Sequence, residues 1–291
     1  MINKLEMLLA LAKERHFGRA ALSLGITQPT LSAGIRQLEE QLGVRLVQRG
    51  SRFGGLTPEG QRALDWAQRI VGDTRALREE MRASHAGLSG HLRIAVIPTA
   101  LTHVSRLVSR FTAAHPNVGF TILSRSSLEI QGMLETLDAD AGLTYLDNEP
   151  LGRVVTRPIY RERYALLCRS DNPLGKKDPV GWQDLAEEPL CLLTPDMQNR
   201  RILNRNFLQA GISPRTVVES NSTIVLATQV AEGGLATVLP EDMARFLAAG
   251  HALQIRPLEG GLTPQVGLVA LHQEPFTPVL QALLKMAEKD K

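Results

Sequence analysis

Three groups of side chains in this 291-residue sequence have the types and spacing to do chemistry, and none of them is a catalytic set. The first is Gln28, Thr30, Ser32 and Arg36, a run of amide, hydroxyl and guanidinium groups that can hydrogen-bond base edges and phosphates. The second is Arg49, Ser51 and Arg52 in a glycine-rich stretch, where cations on a short loop could reach phosphates or a narrow minor groove. The third is a set of hydroxyls and amides in the second half: Thr99, Ser126, Ser127, Thr144, Thr194, Asn221 and Ser222, with His103 nearby. Each of these residues stands close to the junction of an apolar run and a helical pattern. Free helix N–H groups beside such hydroxyls suit a small anion such as a carboxylate. For any one of them alone, an N-cap is the simpler role.

The first two groups need helices to present them. Leu5, Leu8, Leu9 and Ala12 recur at helical spacing, and a second helix from about Phe17 turns Phe17, Ala20, Ala21 and Leu24 inward. Gly25 ends it. Thr27 then caps a third helix with Pro29 in its first turn, burying Leu31, Ile35, Leu38 and Leu42. This leaves Gln28, Thr30, Ser32 and Arg36 on the outside, as in a helix-turn-helix whose second helix enters the major groove. Arg19, Arg36 and Arg45 could equally face solvent. Two short extended pieces around residues 50–55 form a wing carrying Arg49 and Arg52.

A long helix follows, with Thr57 as cap, Pro58 in the first position and Glu59 at the positive end of the dipole. Ala63, Ala67, Ile70, Thr74, Leu77, Met81 and Ser84 recur at alternating spacings of four and three, which predicts pairing with a second copy. His85–Gly90 reads as a hinge. Residues 1–86 hold 13 Lys/Arg against 9 Asp/Glu, while residues 87–291 hold 20 against 21, so the positive excess sits with the helix-turn-helix.

Beyond His91 strands alternate with helices, which implies mostly parallel sheets covered by helices. Strands are expected at 92–97, 118–123, 141–145, 189–193, 216–219, 235–239 and 264–271. Helices are expected at 99–114, 127–137, 198–209, 223–231 and 278–289. Val154–Tyr160 and Tyr164–Arg169 read as a paired crossover between two lobes. The polar strand ends then line a crevice, where ligands bind in open α/β sheets.

The sequence has no GxxxxGK[ST] loop and no GxGxxG after a strand, and its 7 histidines are scattered without metal-ligand spacing. No enzyme, no metal and no cofactor is expected. Cys168 and Cys191, the 2 cysteines, lie in apolar runs and read as buried thiols of a reduced, cytoplasmic protein. No apolar run approaches the roughly 18 residues that a membrane span needs.

The runs Arg15-His16-Phe17-Gly18-Arg19-Ala20-Ala21, Thr27-Gln28-Pro29-Thr30-Leu31-Ser32, Leu38-Glu39 and Leu56-Thr57-Pro58-Glu59-Gly60 resemble the N-terminal pattern of LysR-type transcriptional regulators. The sequence departs from that pattern at Leu46-Val47, expected to alter only wing packing. It departs also at Ala33-Gly34, where a missing side chain removes a possible base contact. The resemblance implies a winged helix-turn-helix at 1–58, a dimerisation helix and hinge at 59–90, and a two-lobed effector domain at 91–291 similar to periplasmic binding proteins. Lobe one would take about 91–160 and 266–291, and lobe two about 161–265. It implies promoter DNA and RNA polymerase as partners, a homodimer and then a homotetramer, and a small metabolite between the lobes. The alternative is a solute-binding or enzymatic α/β domain fused to a helix-turn-helix.

Overall fold

A computed structural model describes residues 1–48, 53–147, 149–272 and 275–288, with backbone alone at 79 and 82–86. The chain opens with α1 (Ile2–Glu14), α2 (Phe17–Ser23) and α3 (Gln28–Leu42), then the long α4 (Pro58–Ala86). Leu5, Leu8, Leu9, Ala20, Ala21, Leu31, Ile35 and Leu38 close one core. Leu24 and Leu42, read as inward-facing, are 36% and 43% exposed. Each stands at a helix end, where the apolar stripe has already passed beyond the neighbouring helix. Thr27 caps α3 and Thr57 caps α4, each accepting a backbone N–H with its hydroxyl.

Part of α4 belongs to this same helix-turn-helix unit, the reader. Ala67 and Val71 are buried in its core, which removes Ala67 from the predicted pairing seam. The outward stripe is instead Trp66, Ile70, Leu77 and Met81, all exposed. The Ser84 side chain lies outside those described.

After Gly87 and a positive-φ Gly90 come β1 (Gly90–Val96), a 3₁₀ turn (Pro98–Ala100), α5 (Leu101–Ala114), β2 (Val118–Ser124), α6 (Ser127–Glu135), β3 (Ala141–Tyr145) and β4 (Val154–Arg161). Then follow β5 (Tyr164–Arg169), β6 (Leu190–Leu193), α7 (Gln198–Gln209), β7 (Thr216–Ser220), α8 (Thr223–Gly233), β8 (Thr237–Pro240), α9 (Glu241–Ala248), β9 (Leu253–Pro257), β10 (Gln265–Leu271) and α10 (Pro278–Glu288). Lobe one is the five-stranded sheet β2-β1-β3-β10-β4, in which β2, β1 and β3 run parallel. β10 returns to it from the far end of the sequence and pairs antiparallel with β3 and β4.

Lobe two is built on β8-β5-β9 and the parallel pair β6-β7, joined by a bridge between Leu190 and Ala236. The two crossover strands therefore do not pair with each other. β4 closes lobe one and β5 is the centre of the second sheet. As the centre of that sheet, β5 is apolar on both faces: Leu166 and Cys168 face the core shared with lobe one, and Leu167 the core under α8 and α9. α9 and β9 were not expected from the sequence.

Candidate functional site

On the reader, Gln28, Ser32 and Arg36 are spaced one turn apart and share one side of α3. Gln28 and Arg36 are exposed and Ser32 half-buried. Thr30 lies about half a turn away, and its hydroxyl is 2.8 Å from the Thr27 cap hydroxyl, so it serves the cap. Arg45 and Arg19 are committed to Glu39 at 3.1 Å and Glu14 at 3.6 Å. Arg36 has no partner among the described residues and remains the free cation of α3. Val47 bridges Leu56 and Gln48 N donates to Gly55 O at 3.0 Å, so the base of the wing forms. Arg49, Ser51 and Arg52 at its tip lie outside the described residues.

Four features that hold this reader together are not evident as such in the sequence. Glu39 is buried, and its Oε1 accepts Leu46 N at 2.8 Å and Val47 N at 3.2 Å, tying α3 to the wing. His16 caps α2 by accepting Gly18 N through Nδ1 at 3.1 Å. Gly34 faces the core, where an added Cβ would stand 2.2 Å from Met7 Sδ. Its missing side chain therefore costs no base contact, contrary to the expectation above, because that face of α3 packs on α1. Leu46 is fully buried, and Gly60 passes so close that a Cβ would meet Leu46 O at 2.0 Å.

In the two-lobed domain, the parallel register aligns Val96 with Ser124 and with Leu143. Thr99, Ser127 and Thr144 therefore emerge at neighbouring strand ends of lobe one. Thr194 and the Asn221-Ser222 pair emerge at the ends of β6 and β7 in lobe two. Ser127 Oγ, Thr144 Oγ1 and Thr194 Oγ1 are buried without a hydrogen-bond partner among the described residues. Buried hydroxyls are nearly always satisfied, so these three at the strand ends of the two lobes stand out.

The other expected residues divide. Ser126 is spent in a capping box with Glu129, Asn221 is exposed, and Ser222 makes no side-chain cap. His103 stacks on Tyr160 at 3.6 Å between ring centroids and lies 3.0 Å from Asp242 Oδ2, poorly aligned as a hydrogen bond. Burial, with Arg106 adding to it, holds its pKa below the ordinary value against the pull of Asp242. Its visible role is to join α5 of lobe one to α9 of lobe two.

A buried cluster behind Thr99 was not anticipated. Glu162, 1% exposed, accepts from Tyr145 Oη at 2.7 Å, Tyr160 Oη at 3.4 Å and Tyr164 Oη at 3.5 Å. Asn199 at the start of α7 donates to Tyr145 Oη at 3.0 Å and Tyr164 Oη at 3.3 Å, and Thr99 Oγ1 is 3.3 Å from Tyr145 Oη. Burial pushes the Glu162 carboxyl up to about 7, against the opposing hydroxyl donors. Burial and the Glu162 carboxyl raise all three phenols. The sequence did hold a clue: Tyr160, Glu162 and Tyr164 alternate along extended chain, which turns all three to one side. A second tie spans the lobes where Arg201 Nε and Nη2 grip Glu149 at 2.8 and 3.0 Å.

Cys168 and Cys191 are buried and free, and burial pushes both thiols up to about 11. No group of three or more metal-ligating side chains stands together among the described residues. No described helix is long and apolar enough to cross a membrane.

Comparison with known proteins gives two family matches. Residues 2–61 match "Bacterial regulatory helix-turn-helix protein, lysR family", and residues 85–290 match "LysR substrate binding domain". The chain is 30% identical over 240 residues to the DNA-binding transcriptional dual regulator OxyR of Escherichia coli K12, covering 82% of this chain and 78% of that one. It is 27% identical over 281 residues to the regulator XapR of the same organism, covering 96% and 95%. Full-length OxyR from Pseudomonas aeruginosa superposes with a TM-score of 0.74 at 25% identity, covering 99% of this chain and 97% of that one. A helix-turn-helix, a long helix and a two-lobed α/β domain thus stand together in one chain, and the superposition spans all three. The chain belongs to the LysR family of bacterial helix-turn-helix transcriptional regulators.

Proposed function

We propose that this regulator senses a small metabolite at the facing strand ends of its two lobes, held by Thr99, Ser127, Thr144 and Thr194. The observation that carries this reading is the set of buried, unpartnered hydroxyls of Ser127, Thr144 and Thr194. A small carboxylate fits best, because α6 and α7 each start within a few residues of these strand ends, and free helix N–H groups beside hydroxyl donors suit an anion. Tyr145–Asn199 and Arg201–Glu149 cross between the lobes, so a ligand seated there changes their angle. It shifts the DNA-bound assembly only by its difference in affinity for the two arrangements.

Thiol oxidation is the rival signal, since several relatives are named as hydrogen peroxide-inducible genes activators. Two buried thiols raised to about 11 argue for metabolite binding instead.

On the DNA side, Gln28, Ser32 and Arg36 meet the major groove, with Arg49, Ser51 and Arg52 on the wing meeting the backbone. Pairing of α4 through Trp66, Ile70, Leu77 and Met81 supplies a dimer, and two dimers a tetramer that adjusts RNA polymerase recruitment in the cytoplasm. The test is a thermal-shift screen of small carboxylates on the full chain, since a ligand of the folded state raises its melting temperature. Thr99→Val and Ser127→Ala should abolish the shift and spare binding to the chain's own upstream DNA. A carboxylate that shifts both variants as it shifts the parent would place the site elsewhere.

A further inference from the structure

The turn between α6 and β3 carries an anomaly. Leu137 sits at φ 58, in the left-handed region that a leucine adopts at a cost of about 1 kcal/mol and a glycine freely. The backbone needs that conformation to end α6: Leu137 N donates to Leu134 O and Asp138 N to Met133 O. It does not need a leucine, and the Leu137 side chain reaches beyond lobe one. It packs against the reader's own core, among the partly buried residues around α1 and α4.

Its neighbours reach the same way. Asp138 pairs with Lys13 of α1 at 2.8 Å, and Arg75 of α4 donates to Leu137 O at 3.2 Å. An apolar plug, an ion pair and a backbone hydrogen bond thus fasten one sensor turn to two reader helices. Beside it the two domains part into a cleft of about 1030 Å³, lined by Arg15, Phe53, Arg69, Arg125 and Arg153 among others. On its other side α10 of lobe one also packs along α4, so the turn adds to that contact. Along α4, Arg75 and Ala76 point away from the Trp66, Ile70, Leu77 and Met81 stripe, at 100° per residue, so a paired copy leaves it in place.

We propose that residues 136–138 are a latch that holds the reader against lobe one of the same chain until the sensor rearranges. α6 carries Ser127 at one end and the latch at the other, so a ligand that moves its N-terminus moves the plug. That last link rests on the effector reading above, whereas the latch itself stands without it.

The test uses the ligand-free full chain. Spin labels go on Leu22→Cys in the reader, 81% exposed, and Ser109→Cys on lobe one, with unlabelled chain in excess so that only intrachain distances are read. The native thiols are buried and stay unlabelled. A single narrow distance is expected. Leu137→Gly should broaden it and raise the open fraction about tenfold, the value of a partly buried leucine, while keeping the turn. Lys13→Glu should broaden it by a few-fold, and adding Asp138→Lys should restore it. Binding to the upstream DNA, followed by anisotropy, should change in the same variants and recover in the charge swap. A distribution already broad in the parent, or unmoved by Leu137→Gly, would overturn the latch. Broadening without any change in DNA binding would overturn its regulatory role.

Discussion

Replacing Glu162 with glutamine should make the sensor more stable in neutral and alkaline solution than in acid, relative to the parent. Below pH 4.5 the carboxyl is neutral in folded and unfolded chains alike. Between 4.5 and about 7 the unfolded chain releases the proton while the folded chain keeps it, so stability falls as pH rises. Just above 7 both are ionised and the loss is complete. Raising a carboxyl from 4.5 to about 7 corresponds to about 3 kcal/mol. Glutamine does not titrate, so the gap between variant and parent should move by about that amount in the variant's favour from pH 4.5 to 8. Any fixed offset from an amide facing the phenols cancels in this difference, as do the other titrating groups. Trp182 gives the signal, because it is buried edge-on to Tyr164 of the same cluster at 6.2 Å. Trp66→Phe removes the other tryptophan, which is exposed on α4. Denaturant titrations at several pH values would then read sensor unfolding alone. Parallel pH slopes for the two chains would refute the argument that Glu162 is held neutral by its surroundings.

Gly60→Ala should cost the reader about 3 kcal/mol, since its Cβ would stand 2.0 Å from a backbone oxygen that cannot turn aside, and the reader's melting transition would show it. Thr144→Val and Thr194→Val should each stabilise the ligand-free chain by about 1 kcal/mol, because a buried hydroxyl without a partner is a penalty that valine lacks. The same variants should lose the ligand-induced thermal shift. Arg49→Ala and Arg52→Ala should weaken DNA binding on all sequences alike and lower its salt slope by about 1 each, measured by anisotropy. Arg36→Ala should weaken the operator more than random DNA if it meets a base, by about 1–3 kcal/mol.

What could be read from the sequence was set by local physics. Thr27 and the Thr57-Pro58 pair announce helix starts through contacts a few residues away, and the polar side of α3 follows from its own period. β3 and α7 begin and end where their apolar patterns do. The misreadings share a distant cause. That β4 pairs with β10 rather than β5 depends on a strand more than a hundred residues on, which no pattern near Val154 contains. Gly34 reads as a gap in a DNA-facing helix until Met7 is placed against it. The Tyr160-Glu162-Tyr164 alternation is visible, but Asn199, the amide that ties it to the other lobe, is not. Among the strand-end hydroxyls, only packing could separate Ser126, engaged in its cap, from Ser127 beside it.

The linker helix has no slack. One unbroken run of backbone enters the reader's core at Ala67 and Val71, fastens to the sensor at Arg75, and presents its apolar stripe outward along another side. Each residue inserted there would advance everything downstream by about 1.5 Å and re-aim it by about 100°. A single insertion after Val71 would swing the sensor a quarter-turn around the shaft, whereas seven would return it almost to phase. The length of this segment can therefore drift only in steps of two turns. The helix is a ruler with coarse divisions, and it keeps the aim of one end true to the other.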